Sequence, residues 1–265
     1  FDLAKMCYEG PEDDLKLTAN TQPAILTMSI AALRVLQQET DLKPDYVAGH
    51  SLGEYSALVA AGGMAFADAV RTVRQRGTFM QQAVPVGEGA MAAVLGVDAE
   101  ALEKICAEAA GDQIVSPANF NSPGQIVIAG HAAAVERAIE LAKENGAKKA
   151  MPLPVSAPFH CALMKPAGDQ LAGVLEAVSL SALEVPVVTN VEAVANSDAD
   201  RVKSLLVTQV SAPVRWDESV RYMVGQGVER FVEIGPGKVL CGLIKRIERR
   251  MPVANVENLA SLKAL

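Results

Sequence analysis

Little in the 265-residue chain could hold a metal or a disulfide framework. The three histidines have no paired spacing, and the four cysteines, Cys7, Cys106, Cys161 and Cys241, are scattered with no CxxC pair. The first absence argues against a zinc site, and the second fits buried free thiols in a reducing cytosol. A basic excess is lacking too: 24 Lys and Arg against 31 Asp and Glu leave a formal charge of −7. A duplex nucleic-acid binder would need the opposite, a concentrated positive footprint. No apolar run approaches the roughly 18 residues that cross a bilayer, and the longest, Ala57 to Ala67, stops at Asp68. The chain opens at Phe1 without an initiator methionine or a basic-then-apolar leader, so a chain processed, trimmed or incomplete at that end is expected. Neither an internal repeat nor a low-complexity tract is found. What is present is apolar: half the residues are, enough for a real core in one large or two modest domains. An acidic substrate would have to be met by locally placed cations.

The hydrophobic periodicity predicts α/β organisation. Thr21 to Thr40 reads as a helix, with Ile25, Met28, Leu33 and Leu36 at near-helical spacing and Pro23 at its start. Asp45 to Ala48 reads as a short buried strand, Gly49-His50-Ser51-Leu52-Gly53 as a tight turn and Glu54 to Ala61 as a helix. A further helix spans Ala67 to Ala83. Val185 to Val191 and Arg230 to Ile234 read as buried strands, and Lys238 to Arg249 as a helix after the Gly235-Pro236-Gly237 turn. The middle differs. Strands Ala90–Val97, Ile114–Phe120, Gln125–Ala129 and Lys148–Val155 alternate with helices Asp98–Ala110 and Ala132–Asn145, the βαβ-βαβ order of a ferredoxin-like unit. This predicts a small α+β subdomain over 85–156, inserted into a larger discontinuous core made of 1–84 and 157–265.

Chemistry concentrates at few points. Gly49-x-Ser51-x-Gly53, between a strand and a helix, fits a nucleophile elbow. The flanking glycines are expected to keep side chains out of the neighbouring strand and helix. At a helix N-terminus Ser51 meets backbone N–H groups, with that of Leu52 a candidate oxyanion donor. An N-cap serine in an ordinary turn is the plainer alternative. Of the possible bases, His50 adjoins Ser51 and should point away from its hydroxyl, and His131 opens a helix of the insert in a surface or capping role. His160 leaves the last strand of the insert through Pro152-Leu-Pro-Val-Ser-Ala-Pro-Phe-His. It therefore falls on a loop near the junction of the two units, where sites form; a satisfied loop histidine is its alternative. Arg76 shares a helix face with Val73, Phe79 and Met80, a costly place for a guanidinium unless it is paired. Either a protein carboxylate satisfies it or it awaits an anionic ligand, for which its planar fork is suited.

Taken with Thr21-Gln-Pro-Ala, Gly49-His-Ser-Leu-Gly-Glu-Tyr-Ser-Ala-Leu-Val, Arg76-Gly, Gly89-Ala-Met-Ala-Ala, Asn119-Phe-Asn-Ser-Pro-Gly-Gln125, His160-Cys-Ala-Leu-Met-Lys-Pro and Glu233-x-Gly-Pro-Gly-Lys-Val-Leu240, the sequence resembles the malonyl-CoA:acyl carrier protein transacylase family of bacterial fatty-acid synthesis. The motifs run in order across nearly the whole chain. The resemblance implies an α/β hydrolase-like core, with a parallel sheet flanked by helices, carrying the ferredoxin-like insert. It implies that Ser51 is acylated by malonyl-CoA, that His160 is its base and that Arg76 grips the free malonyl carboxylate. It also implies that the backbone carbonyl of Gln209, not an acid, orients the histidine. Met80, Asn119 and Phe159 are possible pocket residues, and an aromatic at Phe159 would crowd an α-methyl branch. The expected partners are malonyl-CoA and an acyl carrier protein, with no nucleic acid, membrane, metal or redox cofactor, in a cytoplasmic monomer. The family's first strand carries a Gly-Gln-Gly-Ser-Gln motif that this sequence does not contain, so one oxyanion donor is expected to be absent. The alternatives are a serine esterase or thioesterase on a related core, or a catalytically impaired fragment. Lys238, Lys245, Arg246, Arg249, Arg250 and Lys148 could meet an acidic carrier or simply form a solvated face.

Overall fold

A computed structural model describes residues 2–155 and 157–265. Short helices α1 (Leu3–Glu9) and α2 (Glu12–Lys16) bury no residue and lead into the long α3 (Thr18–Glu39). The last begins three residues before the predicted start and takes Pro23 inside it. Asn20 Nδ2 donates back to the Asp14 carbonyl at 2.7 Å, and the N–H groups of Asn20 and Thr21 both close on Leu17. The turn ahead of the proline is thereby anchored upstream. Strand β1 is only Val47–Ala48, followed by α4 (Gly53–Ala60) and α5 (Phe66–Gln82). Helices α3 and α5 meet at Gly77, where a Cβ would lie 2.7 Å from Ala19 Cα and the Thr18 carbonyl oxygen. Only a residue without a side chain allows that approach. It sets the first turns of α3 against the middle of α5.

The insert comprises β2 (Gly89–Leu95), α6 (Ala99–Ala110), β3 (Val115–Ser122), β4 (Gln125–His131), α7 (Ala132–Glu144) and β5 (Lys149–Pro152). Its strands are ordered β3-β4-β2-β5, all neighbours antiparallel, the arrangement of a split βαβ unit. The period of two along the strands gives each face a partner. Ala92, Val94, Ile126 and Ile128 pack under α6 and α7 with Leu102, Ile105, Val135 and Ile139. Met91, Val127 and Ala129 face the other way, onto Cys161, Phe159 and Leu163 of the core. The loop that carries His160 is thus roofed by the insert's sheet. Strand β3 is also tied to the core along its edge, since Phe120 N–H donates to the Val214 carbonyl and Val214 N–H to that of Ala118, both at 2.9 Å.

After the insert come α8 (Lys165–Glu176), β6 (Val187–Val188), β7 (Ala195–Asn196), α9 (Ala199–Ser211), α10 (Trp216–Gly225), β8 (Phe231–Ile234), α11 (Val239–Ile247), β9 (Val253–Val256) and α12 (Leu259–Lys263). Strand β1 runs parallel to β6, β6 is antiparallel to β7, and β8 and β9 form a separate parallel pair. The core sheet is therefore smaller than the buried runs predict. Val185 to Val191 yields a two-residue strand because the chain reverses at once: Thr189 N–H donates to the Val194 carbonyl, Ala193 N–H donates to that of Thr189, and Ala193 takes a φ of +56°. Helices supply the bulk of the core. Leu26, Tyr55, Leu58, Met80, Met164, Leu171 and Leu206 form one apolar cluster, and Val188, Val214, Trp216, Val220 and Ile244 another. Each large aliphatic side chain buried there contributes about 2 kcal/mol.

Candidate active site

Ser51 sits between β1 and α4 with a φ of +52°, the strained conformation that projects a side chain out of a sharp turn. The turn closes only because Gly49 lacks a Cβ, which would fall 2.0 Å from the carbonyl carbon of Gly53. The expectation that both glycines prevent crowding holds for Gly49 alone, since a Cβ on Gly53 would meet nothing within 4 Å. Asn190 clamps the elbow from the far side. Its Oδ1 accepts from Ser51 N–H at 2.6 Å and its Nδ2 donates to the Gly49 carbonyl at 2.7 Å. Ser51 N–H is thereby occupied. The N–H of Leu52, at the start of α4, makes no hydrogen bond among the described residues.

His160 also has a positive φ, +59°, and is only 4 % exposed. Its Nε2 lies 2.7 Å from Ser51 Oγ, and its Nδ1 lies 2.9 Å from the Gln209 carbonyl oxygen on α9. A carbonyl only accepts, so Nδ1 carries the proton and Nε2 is the free base facing the hydroxyl. Burial, reinforced by the nearby charge of Arg76, pushes the imidazole down to about 3, against the Gln209 bond that favours protonation. The base is then neutral throughout the physiological range. We expect the rate of serine acylation to show no acid limb at the ordinary imidazole value of 6.5; stopped-flow acylation between pH 4 and 8 checks this, and a limb at 6.5 contradicts it. The sign for stability is the same. A depressed folded-state value contributes stability above 6.5 that is lost progressively as pH falls toward 3.

Arg76 on α5 is 1 % exposed. Its Nη2 donates to Ser51 Oγ and to Gln209 Oε1, both at 3.0 Å, and its Nη1 donates to Gln22 Oε1 at 2.7 Å. The guanidinium carbon lies 5.5 Å from the centre of the Tyr55 ring, and Nε has no partner among the described residues. No carboxylate reaches it: among the described residues every ion pair lies elsewhere. Of the two options open in the sequence, an internal acid is not the one the structure takes. The nearest candidate, Glu54, is 2 % exposed and accepts instead from Asn190 N–H at 2.9 Å and Gln209 Nε2 at 2.8 Å. Burial raises its carboxyl to about 7, outweighing those hydrogen bonds and the Arg76 charge. A buried cation therefore stands beside the nucleophile with neutral amides around it.

The structure brings Ser51, Leu52, Arg76, His160 and Gln209 together. It places the remaining candidates at the margins. Met80 is buried behind the Gln22 amide, with its sulfur 3.9 Å from Nε2. Asn119 lies in β3 opposite Val214, where the insert joins the core. Phe159 lines a groove of about 410 Å³ with Lys16, Leu17, Thr18, Thr21, Pro154 and Val155. His50 turns from Ser51 to Asn121, whose Oδ1 is 2.8 Å from its Nε2, and packs on Trp216. His131 accepts from Ile114 N–H and makes no side-chain cap. Of the basic residues after Gly237, Lys245 donates to the Met251 carbonyl and Arg246 to Gln125 Oε1 across the two units. Sequence reasoning missed Gln22, Glu54 and Asn190. Glu54 stands three residues after Ser51, the spacing of a capping box, yet it faces inward and Asn190 takes the Ser51 N–H.

A strained serine hydroxyl, a neutral imidazole 2.7 Å from it and an unpaired N–H at the start of the next helix are groups with which acyl transfer through a serine can be done. The comparisons with known proteins agree with that class. The chain belongs to the acyl transferase domain family, whose model matches residues 1–263. It is 56% identical over 247 residues to the malonyl CoA-acyl carrier protein transacylase of Escherichia coli K12, covering 93% of this chain and 80% of the relative. The malonyl CoA-acyl carrier protein transacylase of Coxiella burnetii superposes with a TM-score of 0.98 at 45% identity, over 100% of this chain and 84% of that one. A malonyl-transacylase solved in complex with a type II PKS acyl-carrier protein gives 0.97 at 50% identity, over 100% and 85%.

Proposed function

We propose that this protein transfers the malonyl group of malonyl-CoA to the phosphopantetheine thiol of an acyl carrier protein, through a malonyl ester on Ser51, in cytoplasmic fatty-acid synthesis. The observation that carries the reading is Arg76: a buried guanidinium without an acid, 3.0 Å from the nucleophile. A substrate that brings its own carboxylate supplies the missing charge, and a malonyl group carries one across a single methylene from the reacting carbonyl. As Ser51 Oγ attacks the thioester carbon, its proton passes to His160 Nε2 and the oxyanion faces Leu52 N–H. The C–S bond then breaks and coenzyme A leaves with the proton from the imidazolium. In the second half the carrier thiol gives its proton to His160, its sulfur attacks the ester, and Ser51 Oγ departs and is reprotonated. The Gln209 carbonyl keeps the imidazole in the productive tautomer throughout. The scheme calls for no metal or redox cofactor, and a monomer contains all of its groups.

Incubation with malonyl-CoA followed by intact-mass measurement tests the reading. The folded protein should gain one malonyl group, mapping to Ser51, and lose it on addition of a phosphopantetheinylated carrier. No adduct on folded protein refutes the proposal. Release of malonate to water at the same rate with and without carrier marks a hydrolase instead.

A further inference from the structure

We infer that Gln22 is a specificity-determining residue for the acyl group, a neutral acceptor that aims the Arg76 guanidinium at Ser51 without discharging it. The inference rests on the reading of Arg76 as the malonyl clamp.

Gln22 lies in the second turn of α3 and is 5 % exposed. Its Oε1 accepts a hydrogen bond from Arg76 Nη1 at 2.7 Å. Its amide nitrogen is engaged on the other side, donating to Thr18 Oγ1 at 3.0 Å with the Met80 sulfur at 3.9 Å. Reversing the amide would lose those contacts and set an NH2 group against a cation, so the oxygen end is fixed toward Arg76. The close approach of α3 and α5 at Gly77, one residue after Arg76, brings the two side chains together. Gln209 repeats the device on the other nitrogen. Its Oε1 accepts from Nη2, while its Nε2 is held by the Ser51 carbonyl at 3.0 Å and by Glu54. Two amides therefore bracket the guanidinium, each with its nitrogen end spoken for.

This choice of residue has a consequence for the substrate. An amide oxygen satisfies the geometry of an N–H but carries no countercharge, so the full positive charge remains for an arriving carboxylate. A glutamate at the same place would be nearly isosteric and would form an internal ion pair. A malonyl carboxylate would then compete with a partner already in place, whereas an acetyl group, which has no carboxylate to set against the cation, would not. Gln22 thus separates acidic from neutral acyl groups, although the acyl chain need not touch it.

The test measures kcat and KM for loading of malonyl and of acetyl from their CoA thioesters, in Gln22→Glu, Gln22→Met and Arg76→Ala, with thermal melts to verify folding. Gln22→Glu should lower the malonyl-to-acetyl ratio of kcat/KM about a hundredfold, chiefly through a raised malonyl KM. Gln22→Met removes the acceptor without adding charge and should lower the ratio by about tenfold. Equal losses for both acyl groups in Gln22→Glu, or an unchanged ratio, overturn the inference while Arg76→Ala still shifts it. If Arg76→Ala itself leaves the ratio unchanged, the clamp reading fails and this inference goes with it.

Discussion

Replacing His160 with alanine is expected to slow malonyl loading of Ser51 by about ten-thousandfold while the chain keeps its fold. The size follows from how little else can accept the proton. Among the described residues, Ser51 Oγ has two hydrogen-bond partners, His160 Nε2 at 2.7 Å and Arg76 Nη2 at 3.0 Å, and a guanidinium is a donor only. His50, the adjacent imidazole, is engaged with Asn121. The base works without an acid behind it, because the Gln209 carbonyl is neutral. A carboxylate there would raise the imidazole's basicity and stabilise the imidazolium; here the positive charge of Arg76 instead favours the departing proton by stabilising the oxygen it leaves. Removing His160 should therefore expose the whole cost of proton transfer in both half-reactions. Single-turnover loading by rapid-quench mass measurement, with circular dichroism to verify folding, checks it. A loss below tenfold would mean that another group or water serves as the base.

Most of the insert was legible from pattern alone, because its strands alternate and its helices have clean stripes. Ala92 and Val94 against Met91 show the period of two directly. The core was less legible for the opposite reason. Val187 and Val188 are buried on both faces and belong to a strand that stops after two residues, and no periodicity marks where a buried run turns. The elbow was legible through its glycines, and Arg76 through its misplaced charge on an apolar face. Its surroundings were not. Gln22, Gln209 and Asn190 act through amides that come from distant parts of the chain, and which end of an amide faces a neighbour is decided by packing. Glu54 was hidden by an ordinary helix-capping spacing. Gln22 lies 54 residues from Arg76, and the side-chain amides of Gln209 and Asn190 meet partners 133 to 158 residues away, beyond any local rule.

Replacing Arg76 with alanine is expected to cut kcat/KM for malonyl loading by about a thousandfold and for acetyl by about tenfold. The two acyl groups differ only in the terminal carboxylate, so the difference isolates the clamp. Both share the loss of the Nη2 bond to Ser51 Oγ, which is why the acetyl rate also falls. The larger malonyl loss arises because its carboxylate would enter a buried space with no cation, beside a Glu54 carboxyl already raised to about 7 by burial. Arg76 is one of the groups that hold that carboxyl down, so in the alanine variant it rises further and ionises later; the extra malonyl loss should therefore set in only above neutral pH, while the acetyl rate does not follow it. Lysine should not restore selectivity. One ammonium cannot reach Gln22 Oε1, Gln209 Oε1 and a carboxylate together, as the two arms of the guanidinium do. Steady-state loading of the two thioesters on both sides of neutral pH decides the matter: parallel losses would show that Arg76 serves the serine alone and that the malonyl carboxylate is held elsewhere.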